Sequence, residues 1–201
     1  DAGLQPMGGP DDKPWIAYNG EAYNFASLRD ELERGGATFK SHSDTEVLLR
    51  GYDAWGLDLL GRLRGMYGFA LWDQVRRRLL IARDRLGIKP VYLYHGDGFL
   101  LFASEVRALL ATGLVPRRID ATALWQYLGY QSVPAPRSMV AGVEMLEPGS
   151  WLTLSGEGDT QAGRYWHMLD AACAPVDVDE AEARRRVGDV LRDAVSSHPV
   201  S

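Results

Sequence analysis

Two neighbouring residues near the amino end of the chain could stabilise a negatively charged oxygen. The side-chain amide of Asn19 and the backbone N–H of Gly20 are adjacent hydrogen-bond donors. Fixed donors of this kind stabilise the oxyanion that forms during acyl transfer from an amide. Glycine suits this role because its backbone can approach a substrate without an intervening Cβ. The same dipeptide is a common hairpin turn, and taken alone it favours that structural interpretation.

Two carboxylates follow the donor pair and could hold a cationic group. Glu21 comes directly after Gly20, and Asp44 lies at the predicted start of a helix. A carboxylate is the appropriate partner for a fixed ammonium group, and a pair of them would discriminate between an amino acid amide and a simple amide. The alternative for Asp44 is a structural role as the helix N-cap. One residue could fill both roles.

A strand and two helices are predicted around these residues. The apolar run Trp15–Tyr18 ends at the Asn-Gly pair, which predicts a strand that meets a turn. A helix is predicted from about Asn24 to the two glycines at 35–36, because its leucines lie four residues apart on one face. A second helix is predicted to start at Ser43 or Asp44 and to end at Gly56.

Four short apolar runs occupy the centre of the chain. They are Gly68–Trp72, Leu79–Ala82, Val91–Tyr94 and Phe99–Phe102. Short strands separated by turn residues form antiparallel meanders. Their nearly continuous apolar character indicates that both faces are covered, and flanking helices could supply the cover. The sequence therefore predicts an α+β layered sandwich.

The last part of the chain contains a further helix, a further strand and a change of organisation. Leu124 and Leu128 predict a helix, and the run Ser150–Leu154 predicts a strand. Residues 168–178 contain a proline and several small or acidic residues, and we interpret them as a linker. Apolar residues recur at helical spacing from Asp179 to about Val195. They predict the first helix of a following domain.

A dense cluster of charged residues lies beside the predicted strands. It consists of Arg83, Asp84, Arg85 and Lys89. The favoured interpretation is an ion-pair network that fixes the loop before Pro90, since buried charges are costly unless they are paired. The alternative is that this loop stabilises a contact with a following domain.

Composition narrows the range of partners. The 201 residues carry 22 Lys and Arg against 27 Asp and Glu, a formal net charge of -5. This acidic balance argues against nucleic acid, whose binding needs a basic face. No apolar run approaches the ~20 residues that span a bilayer, so no membrane partner is predicted. The single cysteine, Cys173, cannot form an internal disulfide, which favours a reducing cytoplasm and an inert thiol.

No metal and no cofactor is predicted in this segment. The four histidines are scattered without the spacing of metal ligands. They are His42, His95, His167 and His198.

Several segments, taken in order, resemble one enzyme family. Asn19–Asn24 and Ser41–Glu46 resemble the two glutamine-site segments of class II glutamine amidotransferases. Further segments narrow the resemblance to the glutamine-hydrolysing asparagine synthetases. They are Arg64–Asp73, Ala82–Tyr94, Phe102–Glu105 and Leu146–Gly149. The resemblance covers roughly residues 3–201, and the ordered series is far more specific than any one motif.

The resemblance implies a fold and a set of site residues. The fold would be a four-layer αββα sandwich of antiparallel sheets, as in Ntn hydrolases. Asn19 and Gly20 would form the oxyanion hole and bind glutamine, Asp44 would accept the α-ammonium of glutamine, and Glu21 would support the same polar end. The family's nucleophile is an amino-terminal cysteine, which this sequence lacks. Cys173 is not a substitute, so we expect the chain alone to be catalytically inert.

The resemblance also implies a division of the chain and a reaction. Residues 1–167 would be the amidotransferase domain without its amino end, 168–178 a linker, and 179–201 the start of an ATP-pyrophosphatase-like synthetase domain. The intact protein would release ammonia from L-glutamine and pass it to the synthetase domain. That domain would use ATP and Mg²⁺ to convert aspartate to asparagine. The predicted partners are L-glutamine and the chain's own synthetase domain, and a homodimer is left open.

Two alternatives stay open. One is a related amidotransferase such as a β-lactam-type synthetase, because the acceptor pocket would lie in the synthetase domain. The other is a non-catalytic glutaminase-like module that serves in interaction or regulation. The residues upstream would distinguish the second alternative, since a catalytic domain would carry a cysteine directly after the start methionine.

Overall fold

The computed structural model describes residues 4–9, 13–171 and 177–197, which form an α+β fold. The strands are β1 (Met7–Gly8), β2 (Trp15–Ala22), β3 (Gly65–Asp73), β4 (Arg78–Arg83), β5 (Tyr92–Gly96), β6 (Phe99–Ala103), β7 (Val143–Met145), β8 (Ser150–Ser155) and β9 (Thr160–Arg164). The helices are α1 (Phe25–Arg34), α2 (Asp44–Trp55), α3 (Leu59–Arg62), α4 (Val106–Ala111), α5 (Ala121–Tyr130), α6 (Met168–Ala171) and α7 (Glu180–Ser197). A 3-10 turn, Gly56–Asp58, joins α2 to α3.

The strands form two antiparallel sheets. The larger sheet has the order β1-β2-β3-β4-β8-β9, and the smaller sheet has the order β6-β5-β7. The four central apolar runs therefore form two hairpins in different sheets, and the prediction of a simple meander is wrong. The chain crosses from one sheet to the other between Arg83 and Tyr92. Local apolar patterns predict hairpins, but they do not specify which hairpins share a sheet.

The helices α1 and α2 cover the outer face of the larger sheet. Leu28 of α1 and Leu48 of α2 are buried in one cluster with Ile16 of β2 and Leu71 of β3. Side chains alternate along a strand, so Ala70 points to the opposite face. There it joins a second cluster that also contains residues of the smaller sheet. The larger sheet is thus buried on both faces.

The smaller sheet is also covered on both faces. Leu93 of β5 belongs to the cluster between the two sheets, together with Ile81 of β4. Its neighbour Tyr94 packs in a third cluster around Leu109 of α4. The order of layers is therefore helices, larger sheet, smaller sheet and helix. The predicted four-layer αββα sandwich is confirmed.

Some elements match their predicted positions and others were not predicted. The helices predicted from Asn24, from Ser43 or Asp44, around Leu124 and from Asp179 are present as α1, α2, α5 and α7. Other elements were not predicted, among them α6, which begins the segment interpreted as a linker; they are β1, β7, β9, α3, α4 and α6. The helix α7 has no buried residue, and its assignment to a following domain stays a prediction. Across the described residues, no helix combines the length and apolar character needed to cross a membrane.

Candidate functional site

Asn19 and Gly20 lie inside strand β2 and not at a turn. In the register between β2 and β3, Asn19 is opposite Gly68 and Gly20 is opposite Tyr67. The prediction that the strand ends at this dipeptide is therefore wrong. Pairing with β3, which is far away in sequence, overrides the local tendency of Asn-Gly to turn.

Within the part of the chain that the structure describes, the backbone N–H of Gly20 points to the edge of β2 that lies away from β3, and no described strand pairs with it there; we call this side of β2 its open edge. On this side of β2, the N–H of Tyr18 donates to Oε1 of Gln5 at 2.5 Å, and the N–H of Ala22 donates to Oδ2 of Asp44 at 3.1 Å. Successive residues of a strand direct their N–H groups to opposite sides, so Gly20 shares the direction of Tyr18 and Ala22. Among the described residues, the short strand β1 pairs with residues 15 and 16 of β2. The Gly20 donor is consequently not used in the β2–β3 ladder.

Gly20 is required by the close approach of β2 to β3. A Cβ atom at this position would overlap the carbonyl oxygen of Met66 and lie 2.6 Å from Cα of Tyr67. Both of these atoms belong to the backbone of β3 and cannot move aside as a flexible side chain can. The site therefore has a backbone donor where no side chain fits.

The substitution Gly20→Ala is expected to lower the free energy of unfolding by about 1–3 kcal/mol, because the added methyl group overpacks a backbone contact. Urea denaturation measures this change. Gly61→Ala in α3 is the matched control, since a Cβ there meets nothing within 4 Å. The control substitution should leave the free energy of unfolding unchanged or raise it by up to about 1 kcal/mol, because alanine favours a helix. Equal stabilities of the two variants would contradict the proposed close approach.

Asp44 is the first residue of α2, but it does not cap the helix. Ser43 is the N-cap, and its Oγ accepts the N–H of Thr45 at 3.1 Å. The carboxylate of Asp44 reaches β2 instead, where Oδ2 accepts the hydroxyl of Tyr18 at 2.9 Å and the N–H of Ala22 at 3.1 Å. The N-cap alternative for Asp44 is therefore wrong. Its carboxylate lies at the same strand edge as the Gly20 donor.

The spacing along this edge suits an amino acid amide. Gly20 and Ala22 are two residues apart, which corresponds to about 6.6 Å along a strand. Extended glutamine spans roughly 6 Å from its α-nitrogen to its amide oxygen, given bonds of 1.2–1.5 Å. An ammonium group at Asp44 would thus leave the amide oxygen within reach of the Gly20 N–H.

The side chain of Asn19 projects from the face of β2 that is turned away from the helices α1 and α2. It lines a cavity of about 220 Å³ between the two sheets, which is also lined by Gly68, Val91 and Ser104. Asp44 does not line this cavity. Glu21 projects to the same face as Asn19 by strand alternation. The structure therefore brings the four predicted residues to one short stretch of β2, with Asp44 at its open edge and Asn19 at the cavity.

The hydroxyl of Tyr18 is held in its protonated form. Burial raises the pKa of Tyr18 above its usual range, and the negative charges of Asp44 and Glu21 raise it further. The Tyr18 hydroxyl consequently remains a hydrogen-bond donor to Asp44 at any physiological pH.

Comparison with known proteins decides the family. The family profile described as glutamine amidotransferase domain matches residues 1–166. The chain belongs to this family. Asparagine synthetase [glutamine-hydrolyzing] 1 of Bacillus subtilis is 39% identical over 196 residues, which cover 98% of this chain and 30% of that protein. The predicted resemblance to glutamine-hydrolysing asparagine synthetases is confirmed.

Two further comparisons extend this result. Amidase chyE of Penicillium rubens is 34% identical over 167 residues, which cover 83% of this chain and 24% of that protein. The solved structure of glutamine phosphoribosylpyrophosphate amidotransferase from B. subtilis aligns with a TM-score of 0.58 at 22% identity, covering 81% of this chain and 32% of that one. This likeness supports the predicted fold. This chain thus spans about a third or less of the length of each of these proteins.

Glu46 of the amidotransferase domain fixes the loop before Asp44, a role that the sequence did not predict. Its carboxylate accepts the N–H of Lys40 at 2.8 Å and both the N–H and the hydroxyl of Ser41 at 2.7 Å. Burial alone would raise the pKa of Glu46, but these hydrogen bonds lower it below its usual value. They fix the loop that leads into α2. The sequence feature that could have indicated this role is an acidic residue in the first turn of a predicted helix. If such a carboxylate is buried, it requires hydrogen-bond partners.

The charged cluster of the amidotransferase domain binds backbone groups. Asp84 is fully buried, and its carboxylate accepts the N–H groups of four residues. They are Tyr67, Leu86, Ile88 and Lys89. The Arg83 guanidinium donates to the carbonyl oxygens of three residues. They are Gly87, Lys89 and Leu146. The prediction of an ion-pair network is therefore wrong for Arg83 and Asp84, because backbone groups of the loop, together with those of Tyr67 and Leu146, satisfy each charge.

A pair of tyrosines links distant strands of the amidotransferase domain. The hydroxyl of Tyr165, just after β9, donates to the carbonyl oxygen of Arg83 at 2.7 Å. It lies 2.8 Å from the hydroxyl of Tyr67, which must then be the donor between the two. Burial raises the pKa of Tyr165 to about 12. The hydrogen bond between the two hydroxyls connects Tyr165, which follows the edge strand β9, to Tyr67, the residue opposite Gly20.

Some predicted features cannot be placed in the structure. Cys173, His198 and part of the predicted linker lie outside the described residues. Among residues 4–9, 13–171 and 177–197, no three His, Cys, Asp or Glu side chains are grouped so that they could hold a metal ion.

Proposed function

We propose that this chain binds L-glutamine as part of the amidotransferase domain of a glutamine-hydrolysing asparagine synthetase. The observation that carries this proposal is the placement of the Asp44 carboxylate at the open edge of β2, two residues from the Gly20 donor. A carboxylate and a backbone N–H donor at this spacing match the α-ammonium group and the side-chain amide oxygen of glutamine. The similarity to glutamine-hydrolysing asparagine synthetases supports the same substrate.

The proposed roles follow from the chemistry of amide cleavage. Asp44 holds the α-ammonium of glutamine, with Glu21 supporting the same polar end. Attack of a nucleophile on the amide carbon converts the carbonyl to an oxyanion, which the Asn19 side-chain amide and the Gly20 N–H stabilise. Collapse of this intermediate breaks the C–N bond, and the nitrogen leaves as ammonia after protonation. The nucleophile is proposed to come from outside the described residues.

The fate of the ammonia is part of the proposal. In the longer protein, a synthetase domain would use ATP and Mg²⁺ to transfer the ammonia to aspartate, in the cytoplasm. No step in the present chain is assigned to ATP or Mg²⁺, because the proposal places their chemistry in the synthetase domain. The similarity to an amidase from Penicillium rubens keeps a different acceptor as the alternative.

Titration calorimetry of the 201-residue chain tests the proposed substrate. L-Glutamine is expected to bind. L-Asparagine is expected to bind with an affinity at least about tenfold lower, because it lacks the methylene group needed to reach from Asp44 to Gly20. D-Glutamine is a control for the placement of the ammonium group. A folded chain that does not bind L-glutamine, or that binds L-asparagine equally well, would contradict the proposal.

A further inference from the structure

The two oxygens of the Asp44 carboxylate have different environments. Oδ2 accepts two hydrogen bonds, from the Tyr18 hydroxyl at 2.9 Å and from the Ala22 N–H at 3.1 Å. Oδ1 is described with one long contact, from the Thr45 hydroxyl at 3.4 Å. A carboxylate oxygen has about two lone-pair sites, so Oδ2 is saturated and Oδ1 retains capacity for a further donor.

Both donors to Oδ2 come from the strand that carries Gly20. Tyr18 and Ala22 lie two residues before and two residues after Gly20 on β2. They therefore fix the position of the carboxylate relative to the proposed amide end of the ligand. The Ala22 N–H alone would leave the carboxylate free to rotate about one hydrogen bond, whereas two donors at one oxygen also fix its plane.

We propose that Tyr18 is a positioning residue that gives the site its selectivity for ligands with an α-ammonium group. Its hydroxyl holds Oδ2 of Asp44 so that Oδ1 is presented to the ammonium. This inference rests on the proposed binding of glutamine, and it adds a residue to which the family resemblance assigned no role.

The surroundings of Tyr18 suit such a role. Its side chain is only 8% exposed and packs in the cluster between β2 and the helices α1 and α2. A buried ring of this kind has little freedom, so its hydroxyl is fixed in place. Burial and the adjacent carboxylates raise its pKa, which keeps the donor proton on the hydroxyl. The carboxylate itself is favoured at the amino end of α2 by the helix dipole.

The variant Tyr18→Phe tests this inference because it removes one oxygen atom and keeps the ring. Two probes are titrated into the wild-type chain and the variant, L-glutamine and 4-carbamoylbutanoate, which is glutamine without its α-ammonium group. Loss of a hydrogen bond to a charged group is expected to weaken L-glutamine binding about five- to tenfold. Binding of 4-carbamoylbutanoate should be unchanged, so the ratio of the two affinities falls.

Tyr52→Phe is the matched control. The Tyr52 hydroxyl also donates to a carboxylate, Oδ2 of Asp73, at 3.1 Å. It lies eight residues further along α2 than Asp44, about 12 Å away along the helix axis. This variant should lower the melting temperature without changing the ratio of the two affinities.

The outcomes separate this inference from the proposed function. A wild-type chain that binds neither probe would overturn the proposed function, and the role of Tyr18 with it. A wild-type chain that prefers L-glutamine, together with a Tyr18→Phe variant that keeps the same preference, would overturn the role of Tyr18 alone. Loss of both probes in the variant, whether by misfolding or by collapse of the site, would show a merely structural role and would also overturn it.

Discussion

The substitution Asp44→Asn is expected to weaken L-glutamine binding by about 100-fold, equivalent to about 3 kcal/mol. Asparagine has the size of aspartate and can still accept hydrogen bonds from Tyr18 and Ala22 through its carbonyl oxygen. It cannot offer a negative charge to the ammonium group of the ligand. The variant should therefore fold normally and lose the ligand, and titration calorimetry with a parallel thermal melt measures both effects.

Asp30→Asn provides the control for this prediction. Asp30 is an exposed carboxylate on α1, and its removal changes the net charge by the same amount. If both variants bound L-glutamine as tightly as the wild type, Asp44 would not be the ammonium acceptor. A similar loss in both variants would indicate a general electrostatic effect.

The substitution Asp84→Ala is expected to lower the free energy of unfolding by about 4 kcal/mol. The side chain is fully buried and accepts four backbone N–H groups, one from β3 and three from the loop after β4. Its removal leaves all four groups without a partner, at about 1–3 kcal/mol for each one that stays unsatisfied, and only part of this cost is recovered by relaxation or water. Urea denaturation monitored by circular dichroism measures the loss.

Asp97→Ala is the control, because Asp97 is exposed in the turn between β5 and β6. Its substitution should change the free energy of unfolding by no more than about 0.5 kcal/mol. A loss below about 1 kcal/mol in Asp84→Ala would contradict the structural role given to Asp84. Since one of its partners is Tyr67, opposite Gly20, the destabilised variant should also bind L-glutamine more weakly.

Elements with a strong local pattern were predictable from the sequence. Helix α2 has an N-cap serine, apolar residues on one face and a glycine at its end, and the apolar runs of β3 to β6 are bounded by turn residues. Strand β9, Thr160–Arg164, has no large apolar residue, so nothing in its composition distinguishes it from a loop. Its strand conformation comes from pairing with β8.

The candidate site residues could be selected from the sequence as residue types, but their arrangement could not be predicted. Asn19, Gly20 and Asp44 could be identified from ordered motifs. The extension of β2 through Asn19 and Gly20 depends on β3, and the contact between Tyr67 and Tyr165 joins residues 98 positions apart. Such contacts depend on the register of distant strands, which local propensities do not encode.

The uncovered part of β2 has a consequence for the behaviour of the protein in concentrated solution. Unpaired backbone groups at a sheet edge are a template on which a strand of another molecule can grow. The Gln5 side chain and the Asp44 carboxylate each occupy one N–H on this edge, at Tyr18 and Ala22. By interrupting the row of donors along the described part of this edge, these two side chains oppose lateral addition of a foreign strand, and the Gly20 N–H between them has no partner among the described residues.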